Sequence, residues 1–246
     1  MRKPKPRPDE ESLDAFYHGR ILVRQRRRGY RFAVDAPLLA SVVDPGPDDE
    51  LCELGTGSGI ISLLLSVRPF RRITALEVQP ALADLAGRNV RLNRLGRRIR
   101  VVRGDLRSFR PRKRFDVVFS NPPYIGRHQG PVSESAEKSI AKHEIKCDIL
   151  EVMRAAAALL KEDGRAFFVY PVKRRRDFER AAAEAGLGLT WVKPVRPRRG
   201  EPANLFLARC GFGTGKVKTL SPVTLFRTGG GPTAAARRIF AGKFNA

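Results

Sequence analysis

Short apolar runs alternate with amphipathic stretches along most of the chain. The runs predict strands at 50–54, 72–77, 99–102, 115–120, 166–170, 187–194 and 205–210. The stretches between them have helical periodicity and predict helices at 59–67, 80–93, 143–160 and 173–185. In the second of these helices, Leu82, Leu85, Ala86 and Asn89 fall on one face. Strands that alternate with helices in this way predict an α/β fold, with a mostly parallel sheet covered by helices.

The ends of the chain follow different patterns. Residues 1–12 are basic and rich in proline, which predicts a disordered tail. Residues 13–45 predict a hairpin and a helix packed on the core; the hairpin strands fall near 21–23 and 30–32, with a turn over 26–29, and the helix begins at Asp35. Residues 46–246 form the predicted main domain, which ends in an extension with a short terminal helix.

Charge narrows the choice of partner. The chain has 246 residues and a formal net charge of +23, from 48 Lys and Arg against 25 Asp and Glu. Such a surplus favours a polyanion such as RNA, because each phosphate contact releases counterions. An arginine-rich surface that only faces water is the alternative.

The sequence disfavours a secreted protein, a membrane protein and a metalloprotein. The N-terminus has no apolar stretch typical of a secretory signal, and no apolar run is long enough to cross a bilayer. We therefore expect a cytoplasmic protein without a membrane partner. We also expect a monomer. The three cysteines, Cys52, Cys147 and Cys210, lie far apart, so the sequence predicts no zinc or iron–sulfur site and no metal.

A glycine-rich segment, Glu53-Leu54-Gly55-Thr56-Gly57-Ser58-Gly59, joins the first main-domain strand to its helix. Glycines at such a turn let a ligand approach backbone N–H groups. The spacing Gly-x-Gly-x-Gly is shorter than the dinucleotide pattern. It therefore favours a cofactor with a carboxylate and an adenosine over a pyrophosphate, although a purely structural turn is also compatible with it.

The next two strands also end in acidic residues. Glu77 ends the second strand at the distance expected for a carboxylate that binds ribose hydroxyls. Asp105 follows Gly104 after the third strand, where it can accept a hydrogen bond from an adenine amino group. Each could be an ordinary surface or turn residue. Together with the glycines they predict one cofactor site at the carboxyl edge of the sheet.

The run Asn121-Pro122-Pro123-Tyr124 follows the fourth strand. Two prolines remove backbone donors and stiffen the loop, which leaves a side-chain amide, carbonyl oxygens and an aromatic ring. These groups suit a planar amine. The motif predicts methyl transfer to a nitrogen whose lone pair is conjugated; the alternative is a rigid turn without chemistry.

Taken together, these motifs resemble the class I S-adenosylmethionine-dependent methyltransferases that modify exocyclic or amide nitrogens. The segments at 26–40, 142–144 and 195–204 are similar to those of the bacterial tRNA1(Val) adenine N6-methyltransferases. The resemblance implies a Rossmann-like, seven-stranded fold with helices on both faces and S-adenosylmethionine as cofactor. It also implies methylation of an adenosine in RNA, in the anticodon loop of a tRNA.

The resemblance also implies roles for individual residues. Asn121 and Pro122 would accept hydrogen bonds from the two N6 protons through a side-chain and a backbone carbonyl, and Tyr124 would stack on the base. The implied cofactor-binding residues are Glu53, Gly55, Gly57, Gly59, Glu77, Asp105, Leu106 and Asn121. The implied substrate-binding residues are Pro123, Tyr124, Arg196, Arg198 and Arg199.

Two other functions remain compatible with the sequence. Release-factor glutamine N5-methyltransferases apply the same Asn-Pro-Pro-Tyr motif to an amide, but they carry a larger helical domain ahead of the glycine-rich loop. A non-catalytic RNA-binding module is the other. The net charge favours RNA over a protein substrate. A binding module needs neither the glycine-rich segment nor the Asn-Pro-Pro-Tyr motif.

Overall fold

A computed structural model describes residues 11–27, 34–122, 147–213 and 215–243. The strands in these ranges are β1 (Glu11–Phe16), β2 (Ile21–Arg26), β3 (Glu50–Leu54), β4 (Arg72–Glu77), β5 (Ile99–Arg103), β6 (Phe115–Ser120), β7 (Leu160–Pro171), β8 (Leu187–Arg198), β9 (Leu205–Phe212), β10 (Lys218–Thr219) and β11 (Val223–Phe226). The helices are α1 (Asp35–Val42), α2 (Ile60–Leu65), α3 (Pro80–Leu92), α4 (Ile149–Leu159), α5 (Arg175–Glu184) and α6 (Ala234–Phe240), and a 3₁₀ turn spans Val172–Arg174.

One large sheet organises the main domain. Its order is β10-β8-β9-β7-β6-β3-β4-β5, and β11 pairs with β8 beside β10. Strands β5, β4, β3, β6 and β7 run parallel to one another, whereas β9 runs antiparallel between β7 and β8. The predicted α/β class, with a mostly parallel sheet, is confirmed. All seven predicted strands are present, and the two short strands β10 and β11 extend the sheet beyond the prediction.

Helices cover both faces of this sheet. Val117 and Phe119 of β6 belong to a core formed with α1, α2, α6 and the hairpin, whereas Val118 belongs to a second core formed with α4 and α5. Side chains alternate between the two faces of a strand, so β6 contributes to both cores and is apolar nearly throughout. This burial fixes the position of the residues that follow β6.

The N-terminal region differs from the prediction. Strand β1 begins at Glu11, so the predicted disordered tail is wrong for its last two residues, and residues 1–10 lie outside the described ranges. The described hairpin consists of β1 and β2, and its turn spans residues 17–20. Strand β2 continues to Arg26, where the predicted turn would begin, and residues 28 and 29 of that turn lie outside the described ranges. Residues 30–32, the predicted second hairpin strand, are also outside the described ranges. The boundary at 45/46 between this region and the main domain remains a prediction.

The helix predicted at 143–160 is shorter where it is described. Helix α4 begins at Ile149, after a capping box in which Asp148 and Glu151 each accept from the other's backbone N–H. It ends at Leu159 because Leu160 already pairs with Phe115 as the first residue of β7. In the described ranges, no helix combines the length and the apolar character needed to span a membrane.

Candidate active site

The glycine-rich turn is hydrogen-bonded to the end of the neighbouring strand β4. The N–H groups of Gly55 and Thr56 both donate to the carbonyl oxygen of Leu76, at 3.0 and 2.9 Å. Gly55 has a φ of +72°, and a Cβ there would meet no atom within 4 Å, so the turn borders open space. Gly59 has a φ of +85°, and a Cβ there would lie 3.3 Å from that of Ala86 on α3. A larger residue at either glycine would be strained, and at Gly59 it would also crowd α3.

Glu53 is buried directly beneath this turn, with 1% of its surface exposed. Its Oε2 accepts hydrogen bonds from the hydroxyl of Thr56, at 2.6 Å, and from that of Ser62. Its Oε1 is buried and has no hydrogen-bond partner in the part of the chain that the structure describes. Burial raises the pKa of Glu53 to about 7, against the hydrogen bonds that favour its charged form.

A second polar atom at the turn is also unsatisfied. The hydroxyl oxygen of Ser58 is buried and has no partner among the described residues. Unsatisfied buried polar atoms are costly, and two of them at one turn point to a ligand that would complete them. A carboxylate acceptor and a hydroxyl suit a ligand that carries an ammonium group and a carboxylate.

Glu77 links the ends of three strands. Its Oε2 accepts from the N–H of Gly57 at 2.8 Å, and its Oε1 accepts from the N–H of Gln79 at 3.0 Å. Its backbone carbonyl accepts from the N–H of Gly104 at 2.9 Å. Burial raises the pKa of Glu77 above its ordinary value. The three strand ends that were predicted to form one site are thus hydrogen-bonded to one another.

Asp105 lies at the same edge but is already engaged. Its Oδ1 accepts from the backbone N–H of Arg107 at 2.9 Å, and both of its oxygens lie 3.0 Å from Nε of that residue. The hydrogen bonds from Arg107 lower the pKa of Asp105. An adenine amino group would therefore share this carboxylate with Arg107. Leu106 is half-buried beside it.

The loop after β6 starts next to the glycine turn. The hydroxyl of Ser120 donates to the carbonyl oxygen of Leu54 at 2.8 Å, which joins the ends of β6 and β3. Phe119 pairs with Glu53 in the sheet, so Asn121 leaves β6 at the level of Gly55, roughly 5 Å away across neighbouring strands. Asn121 is half-buried and Pro122 is buried. Pro123 and Tyr124 lie outside the described residues, as does the segment 142–144.

The predicted phosphate-binding arginines lie at the same edge of the sheet, but farther away. Arg196, Arg198 and Arg199 are exposed at the end of β8, where Arg198 is 3.8 Å from Glu201. Strand β8 runs parallel to β7 and β6, because both β7 and β8 are antiparallel to β9. Three strand spacings separate β8 from β6, or roughly 14 Å. These arginines can contact a substrate that extends beyond the reacting group.

The sequence interpretation missed the hydroxyl groups that surround Glu53. Thr56 and Ser58 belong to the quoted motif, but only its glycines and its glutamate were assigned roles. Ser62 is fully buried in the apolar helix α2. A polar residue inside an apolar helical run is a signal that a sequence can show, because such a side chain needs a buried partner.

Comparison with known families decides the class of protein. Residues 32–179, more than half of the chain, match the family described as "Methyltransferase small domain". The chain belongs to this methyltransferase family. The family match and the fold make the protein a class I methyltransferase with S-adenosylmethionine as its cofactor.

Individual relatives agree with this assignment. A tRNA1(Val) (adenine(37)-N6)-methyltransferase of Dyadobacter fermentans is 30% identical over 176 residues, which cover 71% of this methyltransferase and 72% of the relative. A protein of the same name from a Flavobacteriaceae bacterium is 29% identical over 178 residues, with coverage of 72% and 75%. The resemblance inferred from the sequence motifs is confirmed by these relatives.

Solved structures support the fold. A protein of Agrobacterium tumefaciens, described as a predicted O-methyltransferase, superposes with a TM-score of 0.66 at 21% identity. The superposition covers 87% of this methyltransferase and 98% of that chain. At this level of identity the likeness concerns the fold alone.

Proposed function

We propose that this methyltransferase transfers a methyl group to the exocyclic N6 of an adenosine in tRNA, in the anticodon loop. The observation that carries the proposal is the Ser120–Leu54 hydrogen bond, which sets Asn121 beside the glycine turn. An amine held at Asn121 would then face a cofactor bound at Gly55. The names of the relatives support adenine as the base and tRNA as the substrate.

The polar atoms of the turn fit the cofactor. When bound, S-adenosylmethionine supplies an electrophilic methyl group on a sulfonium. Oε1 of Glu53 would accept from its ammonium group, and the hydroxyl of Ser58 would donate to its carboxylate. Each oxygen of Glu77 accepts one backbone N–H and can accept further bonds from ribose hydroxyls.

Asn121 and Pro122 are proposed to position the amine. The N6 lone pair of adenine is conjugated with the ring, which makes the nitrogen a poor nucleophile. Two carbonyl acceptors, the side chain of Asn121 and the backbone of Pro122, would bind both N6 protons and favour a tetrahedral nitrogen. Pro122 is buried at the end of a central strand, which supports the proposal that these acceptors are preorganised.

The remaining steps need few groups. Tyr124 and Pro123 would hold the base by stacking, which contributes about 1–3 kcal/mol per base. The proton that N6 releases can pass to water, so no side chain has to act as a general base. In-line placement of the two reactants then supplies much of the rate.

The distribution of charge supports RNA as the substrate. Besides the three arginines at the end of β8, the exposed bases at the carboxyl edge include Lys173, Arg176 and Arg227. The opposite edge has two ion pairs, Arg165 with Asp49 and Lys161 with Asp116 at 2.6 Å, as well as exposed arginines. The exposed bases at the carboxyl edge lie on the same side of the sheet as Asn121, where they could contact the phosphates of an RNA substrate.

Incubation with labelled cofactor tests the proposal. The protein is supplied with unmodified tRNA in one reaction and with purified release factor in another. We expect label in tRNA, and N6-methyladenosine after nuclease digestion and mass spectrometry. Label in a glutamine of the release factor, and not in tRNA, would show that the release factor is the substrate. If the protein binds tRNA but labels neither tRNA nor release factor, a non-catalytic RNA-binding module would be favoured. A tRNA substrate would also place the reaction in the cytoplasm, where we propose that a monomer suffices.

A further inference from the structure

The outer edge of the N-terminal hairpin is bound by two asparagine side chains, Asn89 on α3 and Asn93 at its C-cap. The N–H of Arg24 donates to Oδ1 of Asn89 at 2.8 Å, and Nδ2 of Asn89 donates to the carbonyl of Arg24 at 3.0 Å. One turn later Asn93 repeats the pattern on Leu22, at 2.8 and 2.6 Å. The two amides thus occupy the place that a third strand would take.

The spacing of helix and strand explains this match. Four residues of a helix rise about 6.0 Å, and two residues of a strand span about 6.6 Å. Residues four apart on α3 can therefore bind residues two apart on β2. Leu22 and Arg24 direct both backbone groups away from β1, because alternate residues of an antiparallel strand pair with its partner.

Asn89 differs from Asn93 by one contact. Its Nδ2 also donates to the carbonyl oxygen of Ser58 in the glycine turn, at 2.9 Å. The corresponding bond of Asn93 goes to the backbone of its own helix, at Asn89, at 2.8 Å. Asn89 has no exposed surface. One buried amide therefore joins the hairpin to the residue whose hydroxyl is unsatisfied at the cofactor site.

Other contacts of α3 strengthen both ends of this link. Arg88 binds the carboxylate of Glu11 on β1 through two nitrogens, at 2.9 and 2.6 Å. On the other side, Ala86 packs against Gly59 at the end of the turn. A displacement of α3 or of the hairpin would therefore shift the backbone of Ser58.

We propose that Asn89 is a positioning residue that couples docking of the hairpin to cofactor binding. Hairpin docking fixes the amide of Asn89, and the amide fixes the carbonyl of Ser58 and with it the glycine turn. By thermodynamic reciprocity, a cofactor that stabilises the turn also stabilises the docked hairpin. The coupling concerns the cofactor alone, so it holds whichever methyl acceptor the protein uses.

Hydrogen exchange of the wild-type protein tests the coupling without any substitution. We expect S-adenosylhomocysteine to slow exchange of the Arg24 amide by about tenfold, since that amide donates to Asn89. Unchanged exchange at Arg24 under saturating S-adenosylhomocysteine, with protection at the glycine turn, would overturn the proposal.

Two matched variants locate the link. Asn89→Asp removes both donors and sets a carboxylate against two carbonyl oxygens, and we expect its Kd for S-adenosylhomocysteine by calorimetry to rise about tenfold. Asn93→Asp makes the same change to the hairpin without touching Ser58, so its Kd should stay within about twofold. The ligand should still slow exchange at Arg24 in Asn93→Asp, but not in Asn89→Asp. Equal Kd values for the two variants would contradict the link, and melting curves would verify that both are folded.

Discussion

The hydroxyl of Ser120 at the end of β6 donates a hydrogen bond of 2.8 Å to the carbonyl of Leu54 at the end of β3. This buried contact joins the strand that precedes the proposed substrate loop to the strand that precedes the cofactor turn. It lies between neighbouring parallel strands at the edge where α/β folds bind their ligands. The distance between the two reactants should therefore depend on it.

Replacement of Ser120 by Ala should slow methyl transfer more than it weakens cofactor binding. We expect kcat to fall about tenfold because the two loops are no longer held in register, with the cofactor Kd within about twofold. The unsatisfied carbonyl of Leu54 should lower the free energy of unfolding by about 1–3 kcal/mol. Ser41→Ala is the control, because it removes a hydroxyl-to-carbonyl bond to Leu38 away from the site. A similar loss of kcat in both variants would contradict a specific role for Ser120.

Asn121→Ala should abolish methyl transfer while the cofactor still binds. Loss of one preorganised polar contact to a reacting group typically costs about 10²–10³ in kcat. Single-turnover assays with saturating tRNA measure the chemical step, and calorimetry with S-adenosylhomocysteine measures binding. Full activity in this variant would remove Asn121 from the mechanism.

Cofactor affinity should rise with pH below neutrality. The pKa of Glu53 is raised to about 7 by burial, so at lower pH its carboxyl group is protonated and cannot pair with an ammonium group. Well below pH 7 we expect the association constant to increase by up to about tenfold per pH unit, and then to level off. Titrations of the wild type and of Glu53→Gln measure this, and the variant should show a flatter and weaker response. An identical pH profile in both would rule out Glu53 as the titrating group.

Without cofactor, Glu53→Gln should be more stable than the wild type at pH 8. Between its ordinary value and about 7, the folded protein holds a proton on Glu53 that the unfolded chain has released, so stability falls as pH rises through this window. The gain from removing the buried charge could reach roughly 3 kcal/mol. Urea unfolding at pH 5 and pH 8 would reveal it, since the advantage of Gln should be small at pH 5. An advantage that does not change with pH would contradict this explanation.

Removal of the β8 arginines should weaken binding of tRNA and reduce its salt dependence. For the triple Ala variant of Arg196, Arg198 and Arg199 we expect a higher KM for tRNA with little change in the cofactor Kd. The slope of log K against log salt should decrease by about 0.7–0.9 for each phosphate that the variant no longer neutralises. A triple Ala variant at the opposite sheet edge, at the exposed residues Arg72, Arg97 and Arg112, removes the same charge. Equal effects of the two variants would mean that net charge, and not this surface, drives binding.

The sequence predicted the central strands well because their signal is local. Each is a short apolar run between turn residues, and burial on both faces of the sheet enforces that pattern. The β1–β2 turn was missed because it gives a weak signal: Tyr17 and His18 adopt positive φ values of 52° and 58° beside Gly19. Such residues rarely occupy that region, so Gly29 was the more attractive candidate. Strands β10 and β11 are two and four residues long, and only their pairing with β8 defines them.

The candidate site was predictable as a set of strand ends but not as a set of contacts. The spacing of Gly55, Glu77 and Asn121 follows from the order of elements in the fold. The engagement of Asp105 by Arg107 depends on side-chain conformation, and the link from Asn89 to Ser58 joins residues 31 positions apart. Periodicity does place Asn89 on the apolar face of α3, and that placement was the available signal. The roles of single residues in cofactor binding and catalysis remain predictions. The monomeric state of the chain also remains a prediction.

The asparagine pair at the C-terminal end of α3 also has a consequence for solubility. A two-stranded hairpin normally leaves an open edge of N–H and C=O groups, which can recruit a strand from another molecule and start aggregation. In this chain the amides of Asn89 and Asn93 occupy that edge at Leu22 and Arg24. Side chains at the end of α3 thus protect the open edge of β2. Loss of both amides would expose this edge and make the hairpin a site of self-association.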